Sequence, residues 1–430
     1  MGRTVPEGTV PPADRADRAD RADRADRADR ADRADRADRA DRAAWDAAGL
    51  GELTGRPDGP PLGPPPGLVP GLRDLAAAVA RDSSLLGREV RVDPLDLLAA
   101  RAREAGFGRG GAVSCGGSSQ LLRTADGWVA ASLPRSTDWE LVAAWLGLAS
   151  PVHEGAWGAV ADIVATAPTG VLLGRSEGLG LPVAVVGERR APVLPTEGRP
   201  GGIAVTRLTP GLPSAGPAEL ADPAELADPT GPAELADLVV ADLSALWAGP
   251  LAAALLGAAG ARVRKVESVS RPDGARRGPT AHYASLNAGK EDVVVDLATA
   301  AGRAALHREV AGADVVVTSS RPRALGQLGL DPATVLREGR PRIWLSVTGY
   351  GSGPGSVDRV AFGDDAAAAG GLVAVDDRGP CFCADAVADP VTGLAAAAAV
   401  LAALLRGGDH LLVASMADVA GSLAAAGPLP

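Results

Sequence analysis

Leu238-Val-Val-Ala-Asp-Leu-Ser-Ala-Leu-Trp-Ala-Gly-Pro-Leu-Ala-Ala-Ala-Leu-Leu-Gly-Ala-Ala-Gly-Ala-Arg-Val-Arg-Lys-Val-Glu267 is the stretch that decides the fold. Leu238–Leu243 is a short apolar run with adjacent β-branched residues, as a strand buried in a parallel sheet should be. Pro250 then opens an Ala/Leu run to Ala259, and Gly260 ends it. A proline inside the start and a glycine past the end mark a helix. Ala261 to Glu267 reads as the next strand, which completes a compact β-α-β unit.

Working outward, Asp292–Leu297, Asp314–Thr318 and Arg342–Val347 read as further strands, separated by helical stretches near 299–311 and 331–338. Alternation at these lengths predicts an α/β fold built on a Rossmann-like, doubly wound parallel sheet over 238–430. Such sheets bind ligands outside the carboxyl ends of their strands, at the point where strand order reverses. Upstream, Gln120-Leu-Leu-Arg-Thr-Ala-Asp-Gly-Trp-Val-Ala-Ala-Ser-Leu133 predicts two strands joined at Asp126-Gly127. Helical stretches around 138–148 and 157–166 and a strand at Val183–Val186 follow, so 45–205 is expected to form a smaller α+β domain. Pro217-Ala-Glu-Leu-Ala-Asp222 and its near repeats carry regular prolines, and 206–237 reads as a linker. Residues 13–42 are ten copies of Ala-Asp-Arg. They offer i,i+4 ion pairs but no apolar face, so 1–44 is expected to be a low-complexity tail outside any core.

The composition narrows the function classes. Hydrophobic residues make up 46% of the 430 residues and aromatics only 3%, so the cores must be built from Ala, Val and Leu. A net charge of -10 argues against nucleic acid as the main partner, which would demand a basic surface. Cys115, Cys381 and Cys383 are too few for a disulfide framework, and Cys381-Phe-Cys383 lacks a second pair or a nearby His for a metal. No basic-then-apolar leader is recognised, and Leu394–Leu405 is shorter than a bilayer span. A cytoplasmic protein with no membrane partner and no metal is the expectation.

One compositional feature points to a place. The only two lysines, the one asparagine and the two tyrosines are Lys265, Lys290, Asn287, Tyr283 and Tyr350, all within 265–350. Elsewhere basic character is carried by arginine. A hydrated ammonium on a flexible stem is not interchangeable with a guanidinium fork, so either the chemistry of this region selects for these residues or rare residues cluster here by chance. No dinucleotide-binding glycine fingerprint, P-loop or Gly-x-Ser-x-Gly elbow occurs, and the four histidines lack metal-ligand spacing. What remains is a set of loops at predicted strand ends: 245–250, 285–290, 318–322 and 348–354. To these Ala388-Asp-Pro-Val-Thr-Gly393 is added, directly before an apolar helix. Asp389 there reads either as an ordinary N-cap followed by an N1 proline or as a reactive carboxylate.

The ordered series Val240-Ala-Asp-Leu-Ser244, Ala248-Gly-Pro250, Lys265-Val-Glu267, Ser285-Leu-Asn-Ala-Gly-Lys290, Gly312-Ala-Asp-Val-Val-Val317, Arg321-Pro322, Arg340-Pro-Arg-Ile-Trp-Leu-Ser-Val-Thr-Gly-Tyr-Gly351 and Asp389-Pro-Val-Thr-Gly393 resembles the class III (CaiB/BaiF) CoA-transferases, a family that includes α-methylacyl-CoA racemases. The resemblance covers 238–420. Leu121–Ala130 and Gly180–Ala184 are similar to the entry and exit of the family's small domain. The small-domain part comes first here, whereas in the family it comes second. Residues 45–80 look like a faded copy of 364–400. A rearranged or partly degenerate member follows from the resemblance.

That resemblance implies a CoA-binding α/β domain, a smaller domain, and a homodimer, often interlocked. It implies an aspartate matching Asp389 that attacks an acyl-CoA thioester and passes CoA to a carboxylic acid through an aspartyl intermediate. It implies that Lys290 lies near the CoA phosphates and Tyr350 at the pantetheine end, with Asn287, Lys265 and Arg321 in the same pocket. Ser319-Ser320 replaces a family Asn-Phe pair, and Thr348 stands where a Lys sometimes occurs. The racemases need a His–Asp pair, and the matching Phe362-Gly-Asp-Asp365 has no His. A racemase or isomerase using Asp389 with Asp364 or Asp365, and a CoA-binding protein without turnover, stay as alternatives.

Overall fold

A computed structural model describes residues 32–33, 35–190, 201–208 and 235–424. The Ala-Asp-Arg repeat up to residue 31 and the linker from 209 to 234 lie outside the described residues.

Among the described residues twelve strands occur in chain order: β1 Ser119–Arg123, β2 Trp128–Ser132, β3 Val183–Val185, β4 Ile203–Leu208, β5 Val239–Leu243, β6 Arg262–Ser268, β7 Glu291–Val295, β8 Val315–Thr318, β9 Ile343–Thr348, β10 Val373–Asp376, β11 Gly379–Phe382 and β12 Asp409–Ser415. Seven of them form one sheet in the order β4-β12-β9-β8-β5-β6-β7. All its neighbours are parallel except β4, which pairs antiparallel with β12. The expected doubly wound parallel sheet is therefore present, and five of its strands are the five read from the sequence. β12 was not among them, nor was β4 at the sheet edge.

The period-2 alternation of the strands sorts their side chains onto two faces. Val315, Val317, Ile343 and Leu345 lie in one core with the helices Ala248–Ala258 and Ala388–Arg406. Val316, Trp344 and Ala241 lie in the other, against the helices Ala300–Ala311, Pro322–Gln327 and Pro332–Glu338. The chain adds β6 and β7 on one side of β5 and then returns to place β8 on the other. The order therefore reverses between β5 and β8, and a hydrogen bond from the Ala245 N–H to Ser319 Oγ (2.9 Å) bridges that crevice.

Helix Ala388–Arg406 runs through the middle of the first core, and all but a few of its residues are buried. It meets the Ala248–Ala258 helix where a Cβ on Gly393 would come within 2.8 Å of the Ala248 carbonyl oxygen. Only glycine permits that approach.

The N-terminal residues do not segregate as the boundaries 45–205 and 238–430 anticipate. Trp45, Leu50, Leu68, Leu72, Val79 and Leu98 belong to the same core as the Ala388–Arg406 helix and one face of the large sheet. Their helices, Leu68–Leu85 and Pro94–Ala105, form part of its cover. The separate small module is narrower: β1, β2 and β3 form an antiparallel sheet, with Ser136–Leu146, Trp157–Val164 and Thr169–Leu179 packed around Val129, Trp139, Trp145 and Val164. The end of the Ala-Asp-Arg repeat also departs from an unattached tail. Residues 35–47 are helical, Asp41 is buried and paired with Arg73, and Arg42 donates to the Pro61 carbonyl at 2.8 Å.

Candidate active site

Asp389 sits in the first turn of helix Ala388–Arg406, two residues after the N-cap. The N-cap is Val387, and no side chain caps this end. The chain enters the helix through a tight turn in which Ala384 and Ala386 hold φ values of 53° and 46°. Left-handed backbone at two non-glycine residues is strain that the surroundings must enforce. The enforcement is visible. Asp385, between them, takes two hydrogen bonds from Arg101, with Nε to Oδ2 at 2.7 Å. The Ala386 N–H donates to Asp364 Oδ1 at 3.1 Å, and the Ala384 N–H to Thr54 Oγ1 at 3.1 Å.

Three carboxylates thus converge. Asp389 comes from the long helix, Asp364 from helix Gly363–Gly370 and Asp385 from the turn. Gly363 lies so close that a Cβ there would collide with Asp389 Oδ2. Burial pushes the Asp389 carboxyl up to about 7, helped by the charges of Asp364 and Asp385 and opposed by Arg101 and the Ala248 N–H. That N–H opens helix Ala248–Ala258, so the carboxylate lies where two helix N-termini meet. Burial and Asp385 push Asp364 up to about 6, while the Ser119 hydroxyl donates to its Oδ2 at 2.9 Å. Burial also pushes Asp365 up to about 7, although Ser132 Oγ donates to its Oδ1 at 2.7 Å. Neutral groups complete the surround: the Cys115 thiol is pushed up to about 12 by burial, and His282 down to about 4 by burial and Arg101. His282 packs edge-on to Trp247, with centroids 4.9 Å apart.

The residues expected to line a CoA pocket lie elsewhere, and three of them share one network with Tyr283. Lys290 Nζ donates to Asp242 Oδ2 (2.9 Å), Pro250 O (2.8 Å) and Asn287 Oδ1 (3.0 Å). Lys265, with no exposed surface, pairs with Asp273 at 3.0 Å and lies 3.9 Å from Asp242. Asn287 Nδ2 donates to the Tyr283 carbonyl, and Tyr283 OH to Glu267 Oε1 at 2.9 Å. Both ammoniums are therefore paired with internal carboxylates and turned away from solvent, which for Lys290 differs from the expected place near the CoA phosphates. Tyr350 is buried beneath Arg359, whose guanidinium carbon lies 3.6 Å from the ring centre, and burial and the charge of Asp365 push its hydroxyl pKa up. Arg321 alone is exposed, at the N-terminus of helix Pro322–Gln327 beyond the carboxyl end of β8. Among the described residues, no group of three or more His, Cys, Asp or Glu side chains is arranged to hold a metal ion.

Residues 235–424 match CoA-transferase family III. Over 190 residues the chain is 33% identical to an acyl-CoA transferase of Fusarium pseudograminearum, covering 40% of this chain and 41% of that protein. It is 32% identical over 189 residues to a succinate–glutarate CoA-transferase of Agrobacterium fabrum, covering 40% and 47%. A CAIB/BAIF family protein from Brucella suis aligns with 44% of this chain and 54% of its own at 29% identity and a TM-score of 0.39. The chain spans less than half the length of the two curated relatives it matches here.

The family III segment supplies Asp364, Asp385, Asp389, Trp247 and His282. Arg101, Cys115, Ser119 and Ser132 reach the same cluster from outside it. Sequence reasoning did not find these four. Arg101 is one arginine among many on an amphipathic helix, and the serines stand on an ordinary hairpin, so nothing local marks them.

Proposed function

We propose that the protein is a CoA-transferase that moves CoA between an acyl-CoA thioester and a carboxylic acid through Asp389. The observation that carries this reading is the Asp389 carboxylate itself, which makes no ion pair among the described residues and lies half-buried where two helix N-termini meet. A carboxylate freed from water is a stronger nucleophile, and helix N–H groups favour the oxyanion that its attack creates.

The transfer balances without water. Asp389 attacks the thioester carbonyl and expels CoA thiolate, which leaves an acyl–aspartyl anhydride. The thiolate attacks the aspartyl carbonyl and releases the first carboxylate, leaving an aspartyl-CoA thioester. The second carboxylate attacks that thioester and expels the thiolate again. The thiolate then takes the new acyl group, and Asp389 returns as a carboxylate. Arg321 is the exposed basic group assigned to the CoA phosphates, with Lys265, Asn287 and Lys290 bracing the loops beneath it and Tyr350 bracing the Gly349–Gly351 turn. The same reading carries a homodimer and a cytoplasmic location. A proton-shuttling isomerase would pair Asp389 with Asp364, and the absence of a histidine from that stretch weighs against it.

Mass spectrometry after incubation with a panel of acyl-CoAs tests the reading. An adduct on Asp389, absent in Asp389→Asn, is the expected result. Turnover of wild type that persists unchanged in Asp389→Ala would remove the nucleophile. The pH dependence follows from the carboxyl held near 7. Because the ionised form attacks, adduct formation should rise with pH through about 7 and fall on the acid side.

A further inference from the structure

We infer that Arg101, carried by a helix outside the family III segment, is the positioning residue that keeps the Asp389 carboxylate ionised and aimed, so the N-terminal part of the chain is an obligatory part of the active site. The inference rests on the reading of Asp389 as the nucleophile and adds to it a residue that no family match covers.

Charge balance is the first ground. Asp389 is faced by Asp364 from helix Gly363–Gly370, by Asp385 from the strained turn and by Arg101 from helix Pro94–Ala105. Among the described residues Asp365 adjoins Asp364, with its carboxyl pushed up to about 7 by burial and held by Ser132 Oγ, while Cys115 and His282 are neutral near pH 7 because burial holds the thiol up and the imidazole down. One guanidinium therefore stands against three carboxylates. Without it, two negative neighbours would confront the nucleophile with no cation to offset them, and an opposite charge at close range is what favours a carboxylate.

Fixity is the second ground. Arg101 uses Nε and NH2 on Asp385, which leaves the NH1 hydrogens uncommitted among the described residues. Its guanidinium lies over the Trp247 ring at 5.0 Å, and Trp247 is the N-cap residue of the helix whose first N–H faces Asp389. The helix that carries it is capped by Asp93, which accepts from the Leu95 N–H at 2.9 Å, and it buries Leu98, Ala99 and Ala102 in the main core. By holding Asp385, Arg101 also holds the turn that delivers Asp389.

A simple structural staple would share these contacts, so the test needs a readout that a staple does not move. Carbodiimide labelling of Asp389 across a pH series, read by peptide mass spectrometry, reports its ionisation with no CoA present. The wild-type midpoint should fall near 7. Arg101→Gln should move it up by about one pH unit or more, and Arg101→Lys should restore part of the shift. Coincident midpoints in Arg101→Gln and wild type, with unchanged circular dichroism, overturn the inference. If Arg101→Gln does not fold, the double variant Arg101→Gln/Asp385→Asn leaves no unpaired buried charge and is compared with Asp385→Asn. A higher midpoint in the double variant supports the inference, and equal midpoints overturn it. A midpoint shifted in Arg101→Gln, with no acyl adduct formed by wild type, would count against the nucleophile reading alone.

Discussion

At the scale of single residues, Lys290 shows what composition can and cannot tell. A chain that replaces nearly every lysine with arginine keeps this one beside Asn287 and Tyr283, and scarcity does mark a connected site. The network around Asp242 requires a compact cation with three divergent donors, which a planar fork cannot supply in that space. Phosphate binding would select the same residue type, so scarcity alone cannot separate the two roles. Burial does: the Lys290 side chain is only 2% exposed, and desolvation lowers its pKa while Asp242 opposes that. Lys290→Met should therefore destabilise the fold by about 3–5 kcal/mol, the range for breaking a buried ion pair from one side. Urea denaturation measures this. A variant that melts like wild type but binds CoA poorly would return Lys290 to the ligand pocket. Arg101 is the opposite case, a common residue type in an unremarkable sequence whose role depends on a partner nearly three hundred positions away.

At the scale of elements, the parallel strands were legible because a strand buried on both faces has to be an unbroken apolar run, as Val315-Val-Val-Thr318 is. β12 was harder to see, since it follows the Ala388–Arg406 helix after only a Gly407-Gly408 turn with both φ values positive. The start of that helix was legible in place but not in kind. Asp389-Pro390 announces a helix N-terminus, yet the entry through left-handed Ala384 and Ala386 shifts the cap to Val387 and frees the Asp389 carboxylate. That arrangement depends on Gly363. A methyl there would strike Asp389 Oδ2 and come within 2.7 Å of the Ala386 Cβ. Gly363→Ala should displace the carboxylate and reduce formation of the Asp389 acyl adduct at least tenfold. Its cost in stability is expected at about 1–3 kcal/mol, as for other overpacked core positions. Single-turnover labelling and a thermal melt separate the two effects. Full adduct formation in this variant would show that the carboxylate does not need the position the glycine leaves open.

At the scale of the whole molecule, a boundary at the proline-rich linker was the natural inference from composition, because linkers advertise themselves and cores do not. The packing contradicts a division there. Trp45, Leu50, Leu68, Leu72, Val79 and Leu98 are each nearly or wholly buried in the core that the family III segment builds around helix Ala388–Arg406. Gly71 is packed so tightly that a Cβ would strike Leu423. Burying side chains of this size contributes about 2 kcal/mol each. Six of them together match the about 5–15 kcal/mol by which a whole domain is stable. Residues 235–424 expressed alone should therefore lack a cooperative melt, bind a hydrophobic dye and aggregate, while co-expression with residues 35–190 should restore a soluble complex. Size-exclusion chromatography and calorimetry decide between the outcomes. A lone fragment that melts cooperatively would mean that the N-terminal helices decorate a finished domain, and Arg101 would then reach the carboxylate cluster from an accessory layer. Aggregation of the fragment with rescue by the N-terminal part would make the core and the candidate active site products of the same two stretches of chain.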